Sequence, residues 1–106
     1  MKVAEILKAA KAKIENPFNW MQGYYAKDKD GNDLLGNEPG AVCFCGYGAI
    51  EAVTNTVHKG KGWPNAAEKA LDDAVGENFA NFNDEHTHGE VLAAFDRAIA
   101  KAEGQQ

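Results

Sequence analysis

Apolar residues Val3, Ile6, Leu7, Ala10 and Ile14 recur at helical spacing, which puts them on one stripe with Lys8, Lys11 and Lys13 mostly outside it. This first helix is expected to stop before Pro17, because a proline pushes its predecessor out of the α region and Asn16 suits a terminus. Beyond it, Asp30-Gly31 is a strong turn dipeptide, and a short hairpin through Tyr24–Lys29 and Asn32–Leu35 is predicted. The most apolar segment, from Ala41 to Val57, reads as a central buried helix. Gly46 and Gly48 weaken its first turn and would allow another backbone to approach closely. Pro64 is placed as a first-turn residue of a third helix, whose apolar side is Ala67, Ala70, Leu71, Ala74, Val75 and Phe79. Thr87 and Glu90 then form a capping box that opens a last helix, with Val91, Leu92, Phe95, Ala98, Ile99 and Ala102 as its stripe and Gly104 at its end.

The pattern predicts a mainly α chain: a compact bundle of about four helices with a small β-hairpin or irregular excursion after helix one, all within one domain over residues 1–106. The expected core is Ile6, Leu7, Ile50, Val53, Leu71, Val75, Leu92, Phe95 and Ile99. Eleven basic against sixteen acidic residues give a net charge of −5, a poor match to a phosphate backbone, so a nucleic-acid partner is not expected. The apolar runs are too short for a membrane span and the N-terminus lacks a signal-peptide core, so a cytoplasmic location is expected. Two cysteines one residue apart do not suggest an extracellular disulfide framework.

Four constellations invite a chemical reading. The acidic run Asp28 to Asp33 suggests a calcium loop, but with Gly31 at loop position six the first and twelfth ligands fall on Ala26 and Asn37, so the run reads as a solvated turn. Cys43 and Cys45 with His86 and His88 form a zinc ligand set of unfamiliar spacing. Two helical cysteines at i and i+2 lie about 200° apart around the axis, so zinc requires both in extended chain. The competing reading makes both cysteines small core residues and expects no metal and no cofactor. Third, a thiol enzyme would use Cys45, near a helix N-terminus, as nucleophile, His88 as base and Asp84 or Asn83 as orienter, with Gln22 as an oxyanion donor. Fourth, the aromatic residues concentrate in the first two thirds of the chain. Most are assigned to packing, but Trp20, Tyr24, Tyr47 and Trp63, with Asn83, are candidate binding residues. From Glu68 to Glu90 seven acids face Lys69 alone, which reads as a solvated face or a docking surface for a basic partner.

Three strings carry a resemblance: Trp20 to Gly23 with the later Asp30-Gly31 turn, Ala41 to Ile50 with Cys45-Gly46-Tyr47-Gly48-Ala49 inside it, and Phe82-Asn83-Asp84 followed by Thr87 to Ile99. Together they resemble a family of small bacterial and phage proteins known as a domain of unknown function. In that family a Trp/Gly segment and an Asp-Gly turn precede a Cys-x-x-Gly-Ala helix, and an Asn-Asp turn precedes a Thr-started C-terminal helix, so Asn83 and Asp84 are expected to close a turn before the capping box. The resemblance implies a shared fold and transfers no catalytic role, because that family carries no established activity. The leading expectation is a non-enzymatic intracellular module that binds another protein, or itself as a homodimer. A small thiol-dependent hydrolase or transferase is the second expectation and a structural zinc protein the third.

Overall fold

The computed structural model describes residues 2–56 and 65–104, so the expectations placed on Val57, Trp63 and Pro64 lie outside the described residues. Five α-helices and a small three-stranded antiparallel sheet make up the described chain, in keeping with the predicted mainly α class. Helix α1 spans Val3–Ile14 and buries Ala4, Leu7, Ala10 and Ile14, while Val3 and Ile6 pack at the margin of the core. It is followed by a 3-10 turn at Pro17–Asn19, where the Asn16 side chain accepts from the Phe18 N–H at 2.9 Å.

The hairpin forms as predicted but with short strands. Strand β1 (Ala26–Lys27) pairs with β2 (Asp33–Leu34), aligning Ala26 with Leu34 and Lys27 with Asp33. At the turn the Asp28 carboxylate accepts from the Asp30 and Asn32 N–H groups, both at 2.9 Å, and from the Asn32 amide, so the acidic run is satisfied by its own loop. Those bonds, Asn32 first, hold the Asp28 carboxyl below the ordinary carboxylate range.

The apolar run from Ala41 departs from its predicted continuous helix. Cys43–Phe44 is strand β3, antiparallel to the other side of β1, and the sheet order is β2-β1-β3. Helix α2 begins only at Gly46 and ends at Thr54, with Asn55 left-handed at φ 54°. Two neighbours explain the shift. The Tyr25 carbonyl takes the Cys45 N–H at 3.0 Å, and the segment around Trp20 covers the outer edge of β3 through a parallel bridge to Phe44. Pairing on both edges rewards extended chain over a helix that would start on two glycines.

Helix α3 (Ala66–Val75) is capped by Asn65 and stops at Gly76, which is left-handed at φ 72°. That stop separates Phe79 from α3 and lets Phe79–Glu85 form α4, so Asn83 and Asp84, expected in a turn, are helical. Helix α5 (His88–Gly104) begins with the predicted capping box: the Glu90 N–H donates to Thr87 Oγ1 at 3.2 Å and the Thr87 N–H to Glu90 Oε1 at 2.9 Å. The bonds from Thr87 hold the Glu90 carboxyl below its usual range.

Helix α1 packs on α2 and α5, and α3 packs on α5. Leu7, Ile50, Leu71 and Phe95 of the expected core are fully buried and Ile99 is buried, whereas Ile6, Val53, Val75 and Leu92 line its margin. Phe79 adds a second fully buried phenyl and meets Phe95 edge to face with ring centres 5.8 Å apart. The close approach allowed by glycine is realised on α2. A Cβ on Gly48 would stand 1.8 Å from the Tyr25 carbonyl oxygen, and one on Gly36 would stand 1.9 Å from that of Gly48. Three backbone segments therefore meet at a distance no side chain tolerates. Gly48→Ala is expected to lower stability by about 3 kcal/mol or to abolish folding. Gly89→Ala, in open helical surface, should leave the urea midpoint unchanged or raised; equal midpoints for the two variants would refute this packing argument.

Candidate functional site

The strings that carried the resemblance meet at one corner, built around the buried side chain of Asn83 on α4. Asn83 Oδ1 accepts from Trp20 Nε1 at 3.0 Å and from the Gly46 N–H at 3.1 Å, and its Nδ2 donates to the Met21 carbonyl at 3.0 Å. One amide thus joins α4, the strap at residues 20–23 and the first turn of α2. Next to it, Gln22 Nε2 lies 3.0–3.1 Å from the carbonyls of Asn83, Asp84 and His86, closing the C-terminus of α4. Asp84 Oδ1 takes the Gly23 N–H at 2.9 Å. Gln22, expected as an oxyanion donor, is therefore a helix cap, and Asn83, a candidate binding residue, is a buried tie.

A cleft of about 290 Å³ opens beside this corner, lined by Gly23, Tyr24, Tyr25, Cys45, Ala80 and Asp84. Cys45 is the N-cap of α2, where its Sγ accepts from the Gly48 N–H at 3.3 Å. Its side chain is buried, and burial pushes the thiol up to about 12 against the pull of the helix N–H groups. Cys45 and Asp84 share the cleft, but His88 does not line it. Instead His88 packs against Trp20 with ring centres 5.4 Å apart, and its Nε2 lies 2.6 Å from the Ile14 carbonyl. A carbonyl can only accept, so that nitrogen carries the proton and is no base. The proposed nucleophile, base and orienter are thus divided between two places, and the thiol at ordinary pH is protonated.

Cys43 and Cys45 are both in extended chain, the condition set for zinc, yet no group of three or more metal-ligating side chains forms among the described residues. Cys43 Sγ donates to the Phe18 carbonyl at 3.2 Å, and His86 stacks on Phe82 with its Nδ1 2.9 Å from the Phe82 carbonyl. Of the expected binding residues, Tyr24 is exposed, Trp20 is half-buried, and Tyr47 is buried with its hydroxyl donating to Asp72 Oδ1 at 2.5 Å. The acidic stretch is likewise not wholly a surface, since Glu68 is buried and Asp72 also accepts the Phe79 N–H.

Behind the cleft lies a polar interior that the apolar periodicities passed over. Glu51 on α2 and Glu68 on α3 are both fully buried, and Glu51 Oε1 accepts the Gly36 N–H at 2.9 Å. Neither oxygen of the Glu68 carboxyl has a hydrogen-bond partner. Burial, then the nearby Glu51 and Asp72 carboxylates, raise Glu68 from 4.5 to about 10, so it is neutral at ordinary pH. Burial and the bond to Asp72 likewise push the Tyr47 phenol well above its usual range. Two features of the sequence mark these groups: Glu51 interrupts the most apolar segment, and Glu68 falls three residues before Leu71 and seven before Val75, on the apolar side of α3.

A model of a family of unknown function, DUF6197, matches residues 1–101. Neither the curated proteins nor the solved structures give a match.

Two outcomes follow from this geometry. Asn83→Leu, close in size, strands two N–H groups and one carbonyl inside the protein and is expected to cost about 3 kcal/mol or more by urea denaturation. A cost below about 1 kcal/mol would refute the tie. For Glu68, the unfolded chain loses its proton above about 4.5 while the folded chain keeps it to about 10. Stability therefore falls as pH rises between those values, by at most about 1.4 kcal/mol per unit from this group. Glu68→Gln should remove that slope, gaining over the parent at pH 8 and converging with it near pH 5.

Proposed function

We propose that this chain, which belongs to DUF6197, a family of unknown function, is a protein-interaction module without catalytic activity, and that its partner is another protein with an apolar pocket. One observation carries the reading: Phe18 is 87% exposed and yet held on a fixed backbone. Asn16 accepts the Phe18 N–H, Cys43 Sγ donates to the Phe18 carbonyl, and Asn19 Nδ2 donates to the Val42 carbonyl at 3.0 Å. The 3-10 turn that carries Phe18 is therefore stitched to the segment that carries Val42, itself 42% exposed. An exposed phenyl on a rigid turn costs little conformational entropy to dock, and burying it contributes about 2–3 kcal/mol, the character of an anchor at an interface. The reading places the protein in the cytoplasm, where both thiols, one a donor and one a helix cap, stay reduced.

The exposed acids support this less than the apolar turn does. Asp73 lies 3.7 Å from Lys69, Asp84 holds Gly23, and Glu90 caps α5. The anchor therefore rests on Phe18 and Val42, and Trp20 of the strap, held by Asn83 of α4, supports it from within. A photo-crosslinking phenylalanine analogue at position 18 should trap one discrete partner in cells, whereas the same analogue at exposed Glu77 should not. Excess parent protein should compete the adduct away and a Phe18→Ser variant, folded with unchanged stability, should not. Equal adducts at both positions, or none at position 18, would refute the anchor, and an adduct between two copies would assign the surface to a homodimer.

A further inference from the structure

Near the other end of α1, about 18 Å along its axis from the Phe18 turn, a groove of about 440 Å³ lies between α1, α3 and α5. Its floor is built from small residues in register: Ala66 and Ala70, one turn apart on α3, and Ala98 and Ala102, one turn apart on α5. Rows of alanine on two packed helices leave a trough into which the ridge of a third rod can settle, its axis closer than large side chains would permit. The rim has the opposite charge to the molecule. Lys69 stands on the α3 side, Lys101 on the α5 side and Lys2 at the end, against Asp73 as the one acidic lining residue, which lies 3.7 Å from Lys69 and leaves the rim with an excess of two positive charges. The first turns of α1 and α3 and the last turn of α5 all border the groove, so their partial charges oppose and the lysine side chains set its sign. On a chain of net charge −5 this is a local reversal of sign.

We propose that this groove receives a short amphipathic helix of a partner protein, with small apolar residues on its inner face and Asp or Glu along both flanks. Charge complementarity selects the acids: lysines stand on both rims, and a helix with acids at i and i+3 or i+4 on each side answers both at once. A single fatty carboxylate would answer one. Backbone chemistry selects the helix, because an extended segment would bring unpaired N–H and C=O groups onto a floor of alanines that offers no strand edge, whereas a helix satisfies its own. Ala66 to Asp73 spans about 10 Å, so the occupant contacts the groove over about two turns.

The test is selection of a display library of random peptides, about 14 residues long, on the full chain, followed by binding of the enriched pool to a Lys69→Glu/Lys101→Glu variant. Lys69 and Lys101 are exposed, so that variant should keep the parent's fold, checked by circular dichroism. The expected result is enrichment of peptides with apolar residues at helical spacing and flanking acids. They should shift the amide resonances of Ala70 and Ala98, lose about tenfold or more in affinity on the charge-reversed variant, and bind the Phe18→Ser variant as tightly as the parent. No enrichment, enriched peptides without acids, amide shifts confined to other surfaces, or affinity indifferent to the reversal would each overturn the proposal.

Discussion

A buried amide with three partners constrains where the rest of this molecule can go. Asn83 can hold Trp20, Met21 and Gly46 together only if α4 lies across the start of α2 with the strap at residues 20–23 between them. In that arrangement the strap covers the free edge of β3, Phe79 stands over Gly46, and Cys45 takes the cap of α2. Each partner group would be costly to bury unmatched, so displacement of one segment exposes or orphans the other two. The apolar stripes bring five helices into contact, but an apolar stripe tolerates sliding. The amide does not, because its three bonds require one placement of α4 against the strap and the start of α2.

The stripes and the punctuation were legible in the sequence. Val3 to Ile14, the Asp30-Gly31 turn and the Thr87 to Glu90 capping box are local features, set by residues within a turn or two of each other, and the structure has all three. What escaped is non-local. Cys43-Phe44 reads as helix by hydrophobicity and became strand because β1 and the Trp20 strap offered hydrogen-bonding edges from far along the chain. Asn83 and Asp84 read as turn residues because short polar side chains suit turns, but α4 carries one inward and one onto Gly23. The proximity of Gly48 to the Tyr25 carbonyl was foreseeable in kind, since two glycines opened an apolar segment, but not in its partner.

The candidate site was legible in composition and not in arrangement. Cys45 and Asp84 do share a cleft, but His88 is committed to Ile14 and the thiol is capped and buried, so the residues of a thiol mechanism serve the fold where they stand. The buried Glu51 and Glu68 escaped because charged residues are ordinarily assigned to solvent, whereas the Glu68 carboxyl, raised to about 10 by burial, stays protonated as a polar core residue. Among the described residues, the two surfaces read here as docking sites lie at opposite ends of α1: the exposed phenyl of Phe18 at one and the lysine-rimmed alanine groove at the other.

Native-state hydrogen exchange of the Trp20 indole N–H and the Gly46 amide tests the central claim most directly, because both protons lie in bonds to Asn83 Oδ1. If the amide ties the three segments into one unit, both protons exchange only on global unfolding, with protection free energies equal to each other and to the stability measured by urea. Exchange of either proton through a low-energy local opening, with the other still protected, would show that the strap and α2 part independently and that the tie does not organise the fold.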